Sequence, residues 1–159
     1  MRRIGCALLL AIAGCSPDAG TASRNEVAQG GGARLPVSIA SANGTHVFRV
    51  EAAKTAAQQE QGLMFRTDLT PNGGMLFAPY LDASGAPKPA NFWMKNTPTA
   101  LDIVFIRADG TIARIAENTV PFSEALVPSG EPVAAVLELV GGRTGALGIA
   151  EGDKVTWPR

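Results

Sequence analysis

The feature that most constrains the fold is a series of short apolar segments separated by dipeptides that form tight turns. The first of these dipeptides is Asn43-Gly44, which suits the two positive φ angles of a two-residue hairpin turn. The residues around it alternate in the manner of half-buried strands, at Val37, Ile39, His46, Phe48 and Val50. Asp109-Gly110 is a second dipeptide of this kind. Connections this short favour antiparallel pairing, so the chain is predicted to consist mainly of β-hairpins.

The remaining elements are also mostly strands. A short helix is expected after the first hairpin, because Thr55 and Gln58 have the spacing of a capping box and Gly62 lies near the helix end. Further strands are predicted at 75–78, 91–95, 101–107, 111–117, 133–140 and 154–157, and a second short helix is predicted around 144–147. The expected fold class is α+β, with a mainly antiparallel, strongly bent β-sheet that approaches a small barrel and one or two short helices over an opening.

The only long apolar run lies at the N-terminus and indicates export. Arg2 and Arg3 precede a run at 4–14 that has the length of a secretory signal and is far shorter than the ~20 residues of a membrane span. The run ends in Ile12-Ala13-Gly14-Cys15, which resembles the bacterial lipobox. Residues 1–14 are therefore predicted to be a lipoprotein signal peptide, and Cys15 is predicted to carry acyl chains such as palmitate. A plain signal peptide with an incidental cysteine is the alternative.

The residues after Cys15 predict a membrane-anchored protein with a single domain. Ser16 stands where a signal for retention in the inner membrane would place Asp, and this resemblance favours the outer membrane, facing the periplasm. The polar, Gly-rich segment that follows indicates a flexible tether. We therefore expect a lipidated cysteine and tether at 15–34 and a single globular domain at 35–159. Once the signal peptide and Cys6 are removed and Cys15 is acylated, no thiol remains for a disulfide, a zinc site or a nucleophile.

Charge and composition exclude other classes of protein. The chain has 14 Lys and Arg against 14 Asp and Glu, spread along its length, so it has no basic field for a nucleic acid. The membrane, reached through the acyl anchor, is the first expected partner. With 46% hydrophobic and 18% charged residues, the composition is neither that of a disordered chain nor that of a coiled coil.

Several motifs in fixed order resemble the domain-of-unknown-function family 192 (DUF192). The motifs are GLMFR at 62–66, GMLF at 74–77, FWMKNT at 92–97, LDI at 101–103, VLE at 136–138, GI at 148–149 and GD at 152–153. The resemblance covers roughly 37–155 and implies no established activity. Two features depart from the family pattern: Ala100 stands where Pro is usual, and the stretch 79–89 is longer than expected. That stretch is predicted to be a solvated loop, with a lid over a site as the alternative.

Two carboxylates in apolar strands are the candidates for chemistry. Asp102 and Glu138 lie among large aliphatic residues and are expected to be buried, so each needs a cation or hydrogen bonds, or must take a proton. Arg66 and Lys95 are the candidate cations, and Trp93 is a candidate apolar wall. Together these five residues predict a ligand pocket in which Arg66 and Lys95 hold a small anionic ligand. The alternative is a network of structural ion pairs with no ligand.

Three functions remain open at this stage. The first is an envelope lipoprotein with a compact module that binds a ligand or an envelope protein partner, with no catalytic residue, cofactor or metal assigned. The second is a hydrolytic enzyme that uses Asp102 or Glu138 with Lys95 and Arg66. The third is copper handling by thioethers, since Cu(I) prefers sulfur ligands. The residues for this third function would be Met64, Met75 and Met94, although methionine also fills irregular cores.

Histidine chemistry is not expected. His46 is the only histidine, and a lone histidine without cysteines or converging carboxylates does not build a typical zinc site. The sequence also lacks an evident Ser-His-Asp arrangement and a Gly-rich phosphate loop between a strand and a helix.

Overall fold

A computed structural model describes residues 34–158. The predicted signal peptide at 1–14, the lipidation site Cys15 and all but the last residue of the predicted tether lie outside the described residues. The elements in chain order are β1 (Leu35–Ser41), β2 (Gly44–Ala53), α1 (Ala56–Gln61), β3 (Gly74–Phe77), β4 (Lys88–Phe92), β5 (Leu101–Ile106), β6 (Ile112–Thr119), β7 (Val127–Val133), β8 (Ala135–Val140), α2 (Arg143–Leu147) and β9 (Lys154–Thr156).

Seven strands form one strongly curled sheet in the order β6-β5-β8-β3-β2-β1-β9, and β4 and β7 form a separate two-stranded ribbon. The two edges of the large sheet approach each other, because the Ile112 N–H donates to the Asp153 carbonyl and the Val155 N–H donates to the Gly110 carbonyl. The predicted α+β class with a strongly bent sheet and two short helices is therefore confirmed. The sheet is mixed, however, because β2 and β3 run parallel. The connection between them includes α1 and crosses back along the sheet, so that β3 begins in the same direction as β2.

The first hairpin forms as predicted, but its turn differs. Ser41 pairs with Gly44, so Ala42 and Asn43 are the two loop residues and Gly44 begins β2. Gly44 alone in this turn has a positive φ, of 118°. The expectation of two positive φ angles at Asn43-Gly44 is therefore wrong, because the register places the dipeptide one residue later than a type I′ turn requires.

The second hairpin and the capping box are confirmed. The Gly110 N–H donates to the Arg107 carbonyl and Gly110 has a φ of 87°, which is the arrangement of a type I turn followed by a left-handed residue. At the start of α1, Thr55 Oγ1 accepts from the Gln58 N–H at 3.2 Å, and Gln58 Oε1 accepts from the Thr55 N–H at 3.0 Å. This reciprocal pair satisfies two N–H groups that the helix itself leaves free.

The β4–β7 ribbon is the main departure from the predicted elements. The strand expected at 91–95 is β4 at Lys88–Phe92, and its partner β7 was not predicted. The sequence of β7 contains Pro128, Gly130 and Pro132, a composition that indicates a turn and is tolerated here because the ribbon has two free edges.

The segment before the ribbon has the character of a solvated loop. Residues 82–86 are all exposed. Asp82 Oδ1 accepts hydrogen bonds from the N–H groups of Ser84 and Ala86, which closes a local turn.

Both faces of the central strands are buried, as the apolar runs of β5 and β8 predict. Side chains alternate across a sheet, so each strand supplies two cores. The core inside the curled sheet includes Val37, Phe48, Leu76, Val104, Leu137 and Leu139. The core on its outer face includes Leu63, Met75, Phe77, Met94, Ile103, Phe105 and Val136, and partly buried Phe92 and Val127 of the ribbon cover it.

Candidate functional site

The two buried carboxylates project from opposite faces of the sheet. In the antiparallel β5–β8 pair, Asp102 lies opposite Leu139 and Ile103 lies opposite Glu138. Residues opposite each other share a face and neighbours along a strand do not, so Asp102 and Glu138 cannot share one face. Asp102 and Glu138 therefore cannot both lie beside Arg66 and Lys95 in one hydrolytic site.

Asp102 is fully satisfied by groups in β6 and at the start of α2. Its Oδ1 accepts from the N–H groups of Asn118 at 2.9 Å and Gly142 at 2.8 Å. Its Oδ2 accepts from the N–H and the hydroxyl of Thr144, both at 2.8 Å. Hydrogen bonds to an ionised group are strong, and four of them replace the water that burial removes. Asp102 is thus a structural residue that joins β5 to α2 and does not need the cation predicted for it.

Glu138 has the opposite surroundings. The residue is 4% exposed. Its Oε2 has no hydrogen-bond partner within residues 34–158. Its neighbours across the sheet are Met75 and Ile103, which offer no polar group. Desolvation raises the pKa of Glu138 from its ordinary 4.5 to about 8, so the free protein holds this carboxyl protonated at neutral pH.

Glu138 lines a cleft of about 430 Å³ on the outer face of the sheet. The cleft lies between α1, residues 62–64 and the segment from β4 to Thr97. Four rings line it: Phe77, Tyr80, Phe92 and Trp93. Its polar lining residues besides Glu138 are Gln59, Glu60, Lys88, Asn91 and Thr97. Aromatic walls with a few convergent polar groups are typical of small-ligand sites.

Three of these rings pack together. The centroids of Phe77 and Phe92 are 5.0 Å apart at an interplanar angle of 86°, and those of Tyr80 and Phe92 are 5.9 Å apart at 46°. The first pair is edge-to-face and the second is tilted, and both distances are favourable for aromatic rings. The walls of the cleft are therefore held by packing in the absence of a ligand.

Arg66 lies away from this cleft. Its Nε donates to Asp68 Oδ1 at 2.7 Å and its Nη1 donates to Glu51 Oε1 at 3.1 Å. The hydrogen bond to Asp68 is the main cause of a raised pKa at Arg66, and the same bond lowers the pKa of Asp68. These groups line a larger cavity, of about 1020 Å³, in which the guanidinium is already shared by two carboxylates. Arg66 is therefore not the partner of Glu138 or of Asp102.

Lys95 and Trp93 lie at the edge of the cleft. The Lys95 Nζ lies 4.9 Å from the Trp93 ring centroid, a cation–π distance. Trp93 is 41% exposed and lines the cleft, whereas Lys95 does not line it. Of the five residues predicted to form one pocket, the structure brings Trp93 and Glu138 together in the cleft. Arg66 and Asp102 lie elsewhere, and Lys95 reaches only the ring of Trp93.

Sequence reasoning did not assign Glu60, Tyr80, Lys88 or Leu126 to the site, although all four line the cleft. Lys88 lies in β4, whose position was predicted three residues too late, and Tyr80 follows β3 in the loop. For Glu60 the sequence did contain a usable signal. The capping box fixes where α1 begins, and therefore which face of the helix each following residue occupies.

A pair of loops with unusual backbone angles forms one rim of the cleft. The Met94 N–H donates to the Ser123 carbonyl at 2.9 Å and the Phe122 N–H donates to the Thr97 carbonyl at 3.1 Å. Asn96 and Phe122 have positive φ angles of 54° and 60°, which are uncommon for residues other than glycine. These bonds bring the second loop against the first, and Leu126 remains 63% exposed at the rim. Such strain tends to occur at functional sites.

The methionines have mixed surroundings. Met75 and Met94 are buried in the outer core. Met94 Sδ lies 3.0 Å from Thr119 Oγ1, whose hydroxyl donates to the Leu101 carbonyl at 2.8 Å. Met64 lines the cleft. Among residues 34–158, no three His, Cys, Asp or Glu side chains come together as a group that could hold a metal ion.

No helix in this same range has the length and apolar character needed to cross a membrane.

Comparison with known proteins gives relatives without an assigned activity. The DUF192 family model, described as "Uncharacterized ACR", matches residues 38–157. A solved structure from Novosphingobium aromaticivorans DSM 12444, described as a protein of unknown function, is 46% identical with a TM-score of 0.72, covering 78% of this chain and 85% of its own. Another, from Sinorhizobium meliloti 1021 and described as a candidate transcription regulator, is 46% identical with a TM-score of 0.72, covering 79% of this chain and 94% of its own. No curated protein that was compared matches the chain.

Proposed function

The chain belongs to the DUF192 family, and from this premise we propose that it is an envelope lipoprotein whose domain binds a ligand in the cleft at Glu138. The observation that carries the binding role is the Glu138 carboxyl, which is 4% exposed and has an oxygen without a partner within residues 34–158. A buried polar group without a hydrogen bond costs about 1–3 kcal/mol in proteins. A ligand that supplies the missing partner recovers this free energy, so the cleft favours binding.

The lining of the cleft bears on the charge of the ligand. The anionic ligand expected from the sequence relied on Arg66 and Lys95, and neither residue lines this cleft. The charged groups that do line it are Glu60, Lys88 and Glu138. While Glu138 is protonated, Lys88 and Glu60 balance each other, and when Glu138 is ionised the lining has an excess of negative charge. Neither state favours an anion, so the lining supports a neutral or cationic ligand instead.

A hydrolytic enzyme and a nucleic-acid-binding protein are less well supported. The predicted enzyme uses Asp102 or Glu138 with Lys95 and Arg66. Four hydrogen bonds engage Asp102, however, and neither cation lines the cleft at Glu138. The Sinorhizobium relative is described as a candidate transcription regulator. This chain, however, carries 14 basic and 14 acidic side chains with no basic excess for a nucleic acid.

The envelope location rests on the lipobox-like residues that end at Cys15. Cells grown with an alkyne-tagged fatty acid should label the wild-type protein, and the Cys15→Ser variant should remain unlabelled and leave the membrane fraction. Equal membrane association of the two proteins, with no label on either, would contradict this part of the proposal.

The binding role is tested by compounds that stay with the native protein through purification. Ala56 is exposed on α1 and lines the cleft, so an Ala56→Trp change fills the opening without entering the core. Ala146 is exposed on α2, away from the cleft, and Ala146→Trp is the matched control.

Mass spectrometry of the denatured proteins should find one compound in the wild type and in Ala146→Trp, and at least about tenfold less of it in Ala56→Trp. Equal amounts in all three proteins, or none in the wild type, would contradict ligand binding in this cleft.

A further inference from the structure

We propose that the ligand of this cleft carries a guanidinium or ammonium group, which binds the Glu138 carboxylate between the aromatic walls. The inference rests on the proposed function, because it names the chemistry that the same cleft recognises. The group can belong to a free small molecule or to an arginine or lysine side chain of a polypeptide. Both sources present the same charge to Glu138.

Charge is the first argument. The charged side chains that line the cleft come from three elements: Glu60 from α1, Lys88 from β4 and Glu138 from β8. Tyr80 is a further titratable group, and burial raises its pKa. The facing strands β3 and β5 place Met75 and Ile103 opposite Glu138. Two carboxyl groups beside one ammonium leave the cleft one positive charge short when Glu138 is ionised.

Lys88, Lys95 and Arg66 already have partners within the described residues. The Lys88 Nζ lies 4.5 Å from the Tyr80 ring centroid, and the Lys95 Nζ lies 4.9 Å from that of Trp93. Arg66 is held by Glu51 and Asp68. Within residues 34–158, no basic side chain lies within 4.0 Å of the Glu138 carboxyl. The free protein keeps this carboxyl protonated at neutral pH, so a positive charge that stabilises its ionised form can come only from a ligand.

The walls of the cleft suit a cation. Tyr80 and Trp93 already hold ammonium groups over their faces, which shows that rings at this site accept positive charge. A guanidinium also stacks on aromatic rings while it donates hydrogen bonds to a carboxylate in its plane. A cationic ligand can therefore bind Glu138 while it packs on the part of Trp93 that stays exposed beside Lys95.

Gly62 keeps space open beside the carboxyl. A Cβ at this position would lie 3.2 Å from Phe77 Cζ and 3.9 Å from Glu138 Oε2. Gly62 also lines the cleft and has a φ of 50°, so the backbone conformation itself favours glycine. A larger residue here would press on Phe77 next to Glu138, so glycine preserves the shape of this wall of the cleft.

The proposal sets the sign of the pH dependence. A cation binds the ionised form of Glu138, and burial raises the pKa of that group to about 8. The competent fraction therefore grows with pH, and the affinity should rise about 25-fold between pH 6.5 and pH 8.5. A neutral ligand that accepts a hydrogen bond from the protonated carboxyl would show the reverse trend.

The experiment uses calorimetry with two pairs of probes. N-acetyl-arginine amide is compared with N-acetyl-citrulline amide, which has nearly the same shape and no charge. The tripeptide acetyl-Leu-Arg-Leu-amide is compared with its citrulline counterpart. Arginine stays charged throughout this pH range, so only the protein titrates. Tighter binding of the tripeptide than of the single residue identifies a polypeptide source, and equal binding identifies a small molecule.

We expect at least one arginine probe to bind with the stated pH dependence, and its citrulline counterpart to bind at least tenfold more weakly. Glu138→Gln should lower the affinity for arginine at least tenfold at pH 8.5 and remove the pH dependence. Ala56→Trp should block binding, and Ala146→Trp should not.

Equal binding of arginine and citrulline, an affinity that falls as pH rises, or no binding of any probe would overturn the proposal. Mass spectrometry of the compounds retained by the native protein is independent of these probes. A retained neutral compound would therefore leave the cleft a binding site while removing the cationic ligand.

Discussion

Asp102 and Glu138 lie on adjacent strands one step apart in register, and both are buried. The Asp102 carboxylate accepts four hydrogen bonds, three of them from backbone N–H groups. The Glu138 carboxyl faces an aromatic cleft with one oxygen unpartnered within residues 34–158. The two carboxyl groups are almost equally buried, so they differ in hydrogen-bond satisfaction and not in burial.

The largest expected effect on the free energy of unfolding comes from the loss of the Asp102 carboxylate. Asp102→Ala leaves the N–H groups of Asn118, Gly142 and Thr144 without their acceptor. Each unsatisfied buried donor costs about 1–3 kcal/mol, so urea denaturation should show a loss of about 5 kcal/mol. A loss below about 1 kcal/mol would show that water or another group replaces the carboxylate.

The unpartnered Glu138 carboxyl should make the stability of the protein depend on pH. The pKa of Glu138 in the folded protein is about 8, above its ordinary 4.5. The folded state therefore holds this proton more tightly than the unfolded state, and the associated stability is present below pH 4.5 and lost as pH rises through about 8. The pKa difference of about 3.5 corresponds to a total loss of about 5 kcal/mol, of which about 4 kcal/mol falls between pH 5 and pH 9.

The control for this effect is Glu138→Gln, which keeps the shape and removes the titration. Urea denaturation across pH 5 to pH 9 should show the loss in the wild type and not in the variant. Parallel curves for the two proteins would mean that Glu138 is hydrated or paired in solution.

Substitution of Arg66 tests whether its partner is Glu51 or Glu138. Arg66 and Glu51 have side chains that are 19% and 13% exposed, so their pair is partly shielded from water. Arg66→Ala should cost about 1–2 kcal/mol of unfolding free energy. A double-mutant cycle should find about 1 kcal/mol of coupling between Arg66 and Glu51, and none between Arg66 and Glu138. Coupling only to Glu138 would restore the predicted five-residue pocket.

The smallest effect is expected at Lys95. Its ammonium rests on the partly exposed ring of Trp93, and such contacts contribute about 0.5–1 kcal/mol. Lys95→Ala should therefore lower the unfolding free energy by no more than about 1 kcal/mol in the same denaturation assay. A loss of several kcal/mol would mean that Lys95 neutralises a buried carboxylate after all.

The sequence predicted those parts of the fold that local rules control. The capping box at Thr55 and the hairpin that turns at Gly110 depend on residues a few positions apart, and both are confirmed. The burial of Asp102 and Glu138 followed from their apolar neighbours. The β7 strand was not predicted, because its prolines indicate a turn and only the pairing with β4 makes it a strand.

The site could be predicted only in part, since it depends on the register between distant strands. Alternation along β5 and β8 assigns the side chains of each strand to two faces. Whether Asp102 and Glu138 share a face depends on the register between the strands, which pairs each of them with a residue more than 30 positions away. The partners of Arg66 could not be selected either. Glu51 lies in β2 and Asp68 in a loop, and nothing in the motifs favours them over Glu138.

The titration of the Glu138 carboxyl itself tests the central claim most directly. The carboxyl carbon of Glu138 in the isotope-labelled protein can be followed by NMR against pH, with Glu138→Gln to assign the signal. An unpartnered, desolvated carboxyl should titrate with a pKa of about 8 in the free protein. A midpoint near the ordinary 4.5 of a solvated glutamate would contradict the account, because Glu138 would then be ionised and already satisfied without a ligand.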